Sequence, residues 1–204
     1  GTDDFSANDG RPHAGWTNRP AIYGTAGGDE ATNTAGVFRF AKPNVQKFNT
    51  AHPDGASGNQ YLEAKFKLTQ IGSGDVEADF IVGYLDYTTY LLATVKYADS
   101  GCARLSIGGP AGGECSTRTT KAGNAVLVGV PIRGLTLDEW HTIKVCLIPN
   151  NYGSYGTGDT LRAHLILADG THWGDQTVCD AYTGGAYVAL GNDNTDTAGG
   201  TYGS

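Results

Sequence analysis

From residue 60 onward the chain alternates apolar and polar side chains with a period of two, as a strand does when one face meets a core. In QYLEAKFKLT (60–69) the apolar set is Leu62, Ala64, Phe66 and Leu68. DVEADFIVGY (75–84) repeats it with Val76, Ala78, Phe80 and Val82, and TYLLATVKY (89–97) with Leu91, Ala93, Val95 and Tyr97. CARLSI, AVLVGV, EWHTIKVCLI, TLRAHLILA and AYVALG predict further strands, the fourth of them turning Leu161, Ala163, Leu165 and Leu167 inward. Residues 7–60 are looser, with AGVFRF the best strand among Gly-, Pro- and Asn-rich connections. NNYGSYGTGD (150–159) and NDNTDTAGGTYGS (192–204) read as long loops or tails. No helical periodicity, internal repeat or linker interrupts the pattern. About ten or more short strands in one domain predict an all-β, two-sheet antiparallel sandwich.

Composition agrees and narrows the function classes. A chain of 204 residues suits a single domain, and its 31 glycines suit one rich in turns. The formal net charge is −7, from 14 Lys and Arg against 21 Asp and Glu, with no basic run in the sequence. That balance argues against nucleic acid and against anionic membrane surfaces as partners. NAVLVGVPI is about the longest apolar stretch, well short of the roughly 18–20 residues of a membrane span. The opening GTDDFS lacks an initiator Met and a signal-peptide core, so the N-terminus reads as a product of processing, with any targeting segment out of view.

Four cysteines show no metal-like spacing. Cys102 and Cys115 flank the turn-rich ARLSIGGPAGGE, which suggests a local disulfide and leaves Cys146 to join Cys179. Two such bridges would contribute about 3 kcal/mol each and place the protein outside a reducing cytosol. The alternative is buried free thiols.

Asp75, Glu77 and Asp79 occupy alternate positions of one predicted strand, on one face and roughly 7 Å apart. The carboxylate pairs of glycoside hydrolases stand roughly 5 to 9.5 Å apart, so the ladder invites a catalytic reading. A hairpin through residues 70–74 would place Lys67 opposite Glu77 and Lys65 opposite Asp79, and a turn at DYTT would add Lys96 opposite Asp79. Facing lysines keep carboxylates ionised, the reverse of what a general acid needs. The expectation is therefore a structural charge ladder and no catalytic residue. On the same registers Tyr61, Ile81, Leu85, Tyr90 and Leu92 form an outward apolar patch, extended by Tyr84 and Tyr87, that a loop, a partner subunit or a sugar should cover.

The opening DDFS followed by GW, the segment DFIVGYLDYTTYLLATVKY, the strand EWHTIKVCL, and LRAHLILADGTHW followed by GGAYVALGN resemble the concanavalin A-like lectin/glucanase superfamily in its laminin-G-like jelly-roll form. The similarity spans nearly the whole chain as a pattern of strands and turns. It implies one concave and one convex sheet, frequent glycan binding, frequent calcium at the rim, and catalysis in some branches. Laminarinase-type members carry Glu-x-Asp-x-x-Glu or Glu-x-Asp-x-Glu on a strand, whereas Asp75-Val76-Glu77-Ala78-Asp79 inverts that order, so no catalytic role carries over. Members commonly finish on a Phe-Asp-Asn-hydrophobic strand beside the first. TYGS lacks it, implying a last strand that is lost, supplied by another chain, or part of a longer polypeptide.

For glycan contact the candidates are the loop aromatics Tyr152, Tyr155, Trp173 and Tyr182, because sugar C–H faces stack on flat rings, while Trp16 and Trp140 read as core anchors. Asn192, Asp193, Asn194 and Asp196 collect oxygen ligands which, with Asp3 or Asp4, suit a rim calcium of the kind the resemblance implies. The histidines lack zinc spacing. The sequence thus predicts an extracellular, cell-surface or virion-surface module that binds carbohydrate or mediates adhesion. The alternative is a structural virion protein packed against neighbouring subunits.

Overall fold

The computed structural model describes residues 16–20, 31–34, 37–40, 47–51, 60–69, 76–86, 89–97, 103–108, 130–148, 159–179, 187–192 and 200–203. Among these residues there are fourteen strands and no helix. They are β1 (Trp16–Pro20), β2 (Ala31–Thr34), β3 (Val37–Phe40), β4 (Lys47–Ala51), β5 (Gln60–Leu68), β6 (Val76–Asp86) and β7 (Thr89–Tyr97), followed by β8 (Ala103–Gly108), β9 (Val130–Ile132), β10 (His141–Ile148), β11 (Asp159–Ile166), β12 (His172–Cys179), β13 (Tyr187–Asn192) and β14 (Gly200–Gly203). A first sheet runs β1-β4-β13-β6-β7-β8-β9 and a second β12-β11-β10-β5-β14-β3-β2. Every paired neighbour is antiparallel.

The alternation read from the sequence sets the faces. Val76, Ala78, Phe80 and Val82 from the first sheet meet Phe66, Leu68, Ile143, Val145, Leu161 and Leu165 from the second in one buried cluster. Phe66 and Phe80 join the layers, their rings edge to face at 5.0 Å and 65°. β10 alternates buried and half-buried residues along its whole length, as a strand with one covered face must.

The hairpin expected between β5 and β6 is not there. The two strands lie in opposite sheets, so their connection crosses the sandwich. Lys65 stands opposite Thr142 and Gly203, and Lys67 opposite Thr201, away from the acidic ladder. Lys96 also moves, facing Glu77, while Thr94 faces Asp79. The cause is a bulge. β6 and β7 pair at Asp86–Thr89 and again at Val82–Leu91, which leaves two extra residues in β6. Gly83 sits there at φ 62°, a conformation glycine accepts without strain, and its N–H donates to Gln60 Oε1 at 2.6 Å. The side chain thereby ties β6 to β5 across the layers.

Two further expectations are corrected. Gly200–Gly203, expected within a loop or tail, is a strand held between β5 and β3. Cys146 is a free thiol. It lies across β11 from Cys179 and three residues out of line, about 14 Å away, whereas a disulfide needs Cα atoms within roughly 7 Å. Cys102 and Cys115 lie outside the described residues.

Candidate functional site

Each sheet has an outward face, and the two differ. On the first sheet, Glu77 is 6% exposed and Asp79 is fully enclosed. Asp79 Oδ1 accepts a 2.6 Å hydrogen bond from the Thr94 hydroxyl, which satisfies part of its buried carboxyl group. Ile81 and Leu92 pair beside them and are equally buried, though they do not belong to the inter-sheet core. The apolar patch expected here is thus divided: Ile81 and Leu92 are covered, and Tyr61 belongs to the other sheet. Leu85 and Tyr90 keep strand backbone, but their side chains, like that of Tyr84, are not among those described. Asp75 and Tyr87 lie outside the described residues.

The outward face of the second sheet is open. Odd residues of β5 and even residues of β10, β11 and β12 share it, and the registers set out its rows. Gly174, His164, Lys144 and Glu63 form one row, and Gln176, Arg162, Cys146 and Tyr61 the next. Gly174 carries no side chain, which leaves a shallow recess of about 450 Å³ bounded by Arg162, His164 and Gln176. His164 Nε2 and His172 Nδ1 lie 2.9 Å apart, one ring donating and the other accepting.

Polar contacts tie this face together. The Tyr61 hydroxyl donates to Glu63 Oε2, and Lys144 Nζ lies 3.4 Å from the same oxygen. The tyrosine bond, helped by Lys144, holds the Glu63 carboxyl below the usual carboxylate range. Burial, with the Glu63 bond, pushes the Tyr61 phenol well above its ordinary value. Burial likewise pushes the Cys146 thiol up, against the pull of Arg162 and Lys144. Because folding depresses the Glu63 pKa, the stability it brings is present above the unfolded value of about 4.3 and is lost as pH falls through the folded one. Wild type and Glu63→Gln are expected to differ in urea titrations at pH 7 by about 0.2–1 kcal/mol, as for an exposed pair. The gap should narrow as the pH is lowered below the unfolded value and the carboxyl is protonated; a gap that does not shrink on acidification would contradict the assignment.

At one end of the face stands Trp140, 40% exposed, with Lys67 Nζ 5.4 Å from its ring centroid. Tyr61, 51% exposed, stands at the other. The tryptophans have exchanged their expected places. Trp140 precedes β10 on the outward parity, while Trp173 sits in β12 opposite Leu165 and packs its half-buried ring against the core. Its Nε1 is buried with no acceptor among the described residues. Trp173 is thus a strand residue and not the loop aromatic expected, because Gly174 and its polar neighbours break the apolar alternation of HWGDQTVC.

The residue that sequence reasoning missed is His141. Its ring is buried against Phe66, with centroids 5.6 Å apart. Nδ1 accepts the Ala168 N–H at 3.0 Å, so Nε2 carries the proton and donates to Thr136 O at 2.8 Å. The imidazole thus clamps residues 133–140 to the β11–β12 turn. That turn closes with Gly170 N donating to Leu167 O at 2.9 Å and Gly170 at φ 83°, a three-residue hairpin loop with a left-handed glycine. Asp138, at φ 61°, donates its N–H to Leu68 O and accepts from the Thr69 hydroxyl, so the segment carrying Trp140 is anchored to the end of β5.

Tyr152, Tyr155 and Tyr182, and Asp3, Asp4, Asp193, Asn194 and Asp196, lie outside the described residues. Asn192 ends β13 opposite Lys47. Among the described residues no three His, Cys, Asp or Glu side chains group as metal ligands, and no helix is long and apolar enough to cross a membrane.

No protein-family model matches the sequence, and no curated protein matches it. Solved structures do. The carbohydrate-binding module CBM66 from Bacillus subtilis superposes with a TM-score of 0.53 at 13% identity, over 91% of this chain and 94% of that one. A GH43 glycoside hydrolase, engineered to display both endo-xylanase and exo-arabinofuranosidase activity, gives a TM-score of 0.56 at 14% identity, over 98% of this chain but 39% of its own. The β-glucanase of Bacillus licheniformis gives 0.50 at 12% identity, over 95% and 91%. The fold is therefore the concanavalin A-like jelly-roll sandwich that the sequence resembled.

Proposed function

We propose that this jelly roll is a carbohydrate-binding module, acting outside the cell or on a cell or virion surface, which engages glycan with the outward face of its second sheet and performs no catalysis. The observation that carries the reading is the pair of exposed rings, Trp140 and Tyr61, at opposite ends of a strand surface with polar side chains between them. A ring offers a sugar's C–H face a stacking platform at little entropic cost, and amides, imidazoles and ammonium groups bond its hydroxyls. The fold shared with CBM66 over nearly its whole length supports the same reading. The non-catalytic part rests on the burial of Glu77 and Asp79, which no polysaccharide reaches in this arrangement.

A glycan array, followed by calorimetry on the best ligand, tests it. Trp140→Ala and Tyr61→Ala are each expected to weaken binding at least tenfold, about 1.4 kcal/mol, with the fold intact. An array without binders, or binding that ignores both substitutions, would remove the proposal. Polysaccharide hydrolysis abolished by Asp79→Asn with Glu77→Gln would replace it with an enzyme.

A further inference from the structure

The chain is acidic, yet the face just described is not. The outward positions of β5, β10 and β11 hold Lys65, Lys67, Lys144 and Arg162 against a single carboxylate, Glu63. Lys144 and the Tyr61 hydroxyl already engage that carboxylate, which blunts its repulsion of an incoming anion. From β5 to β12 the surface measures about 14 Å across, and from Trp140 to Cys146 about 20 Å along, enough for several sugar rings. Against a formal net charge of −7 over the whole chain, this set of cations gives an anionic ligand a local attraction.

We infer, building on the carbohydrate-binding reading, that this face takes an acidic polysaccharide and seats a uronate carboxylate in the recess over Gly174, against Arg162, His164 and Gln176. A guanidinium presents two parallel N–H donors, the match for a planar carboxylate, and Arg162 is the guanidinium of the recess. His164 and Gln176 add an imidazole and an amide at its other walls. Lys65 and Lys67 lie nearer the Trp140 end, placed to meet the charge of a sugar further along the chain while Trp140 stacks on its ring.

Titration calorimetry with oligogalacturonate as the uronate probe, dextran sulfate as a sulfated polymer and laminarin as a neutral one separates the outcomes. Oligogalacturonate is expected to bind with an affinity that falls as salt rises, and to lose at least tenfold on Arg162→Gln. Gly174→Val fills the recess and should lose as much. Its Cβ would stand 3.6 Å from Ala163 O, an ordinary contact, so its urea midpoint should remain that of the wild type. Arg133→Gln removes the same charge outside these strands and should change nothing. Dextran sulfate or laminarin bound as tightly as oligogalacturonate, or uronate binding indifferent to Arg162→Gln and Gly174→Val, overturns the acidic-sugar assignment. The module reading survives that result if the binding still requires Trp140. Absence of binding to any glycan overturns both.

Discussion

Phe80→Ala is expected to cost about 3–5 kcal/mol of folding stability, the range for truncating a buried aromatic. Phe80 has no exposed surface and meets Phe66 edge to face across the two sheets, so its removal opens a cavity at the seam and deletes an aromatic contact worth about 0.5–1.5 kcal/mol. Neither layer can collapse into the gap without dragging its strand out of register. For a domain with about 5–15 kcal/mol in all, that is a large share. Urea denaturation should show a lower midpoint at an unchanged slope. A loss below about 1 kcal/mol would mean the sheets do not meet there. In a cycle with Phe66→Ala the two losses should fall short of additive, because each substitution removes the same contact.

His141→Leu is expected to cost about 1–3 kcal/mol by a different route. The leucine fills most of the volume but takes the partner from the Ala168 N–H and the Thr136 carbonyl, both part-buried on exposed residues, so water recovers some of the loss. The damage should be local as well as global. Amide exchange at Ala168 should accelerate, and Trp140, the neighbouring residue, should change its fluorescence. His141→Gln, which keeps a polar end, should recover part of the loss. Stability within about 0.5 kcal/mol of wild type for the leucine variant would show that the clamp is dispensable.

The strand faces were legible because period-two alternation depends only on which side of a strand is covered. Leu62, Ala64, Phe66 and Leu68, and the matching sets in β6, β7 and β11, lie as the pattern predicts, buried or packed against the buried cluster. What alternation leaves open is which sheet a strand enters. The short connection after Thr69 serves a hairpin or a crossing of the sandwich equally well, and both leave the same residues inward. That ambiguity carried Lys65 and Lys67 to the wrong acids. The register of β6 on β7 was right at the turn, Asp86 against Thr89, and slipped by two beyond Gly83. A lone glycine inside an alternating run is the signal of such a bulge, and it stood in the sequence.

The candidate site was less legible. Its parts come from Gln60–Leu68, His141–Ile148, Asp159–Ile166 and His172–Cys179, brought side by side only by long-range pairing. No local run of basic residues announces the cluster of cations, since they alternate with inward apolar residues on three strands. Trp140 sits at a strand end, where a shift of one position decides between core and solvent, whereas Trp173 was misplaced because Gly174 and its polar neighbours hide the strand that holds it.

The placement of Gly200–Gly203 between β5 and β3 has a consequence for the newborn polypeptide. Until residue 203 has been made, β5 holds one bare edge of backbone donors and acceptors, which any extended peptide nearby can zip onto. A chain stalled before that point therefore carries a sticky seam. Chaperone demand should fall once those few residues dock.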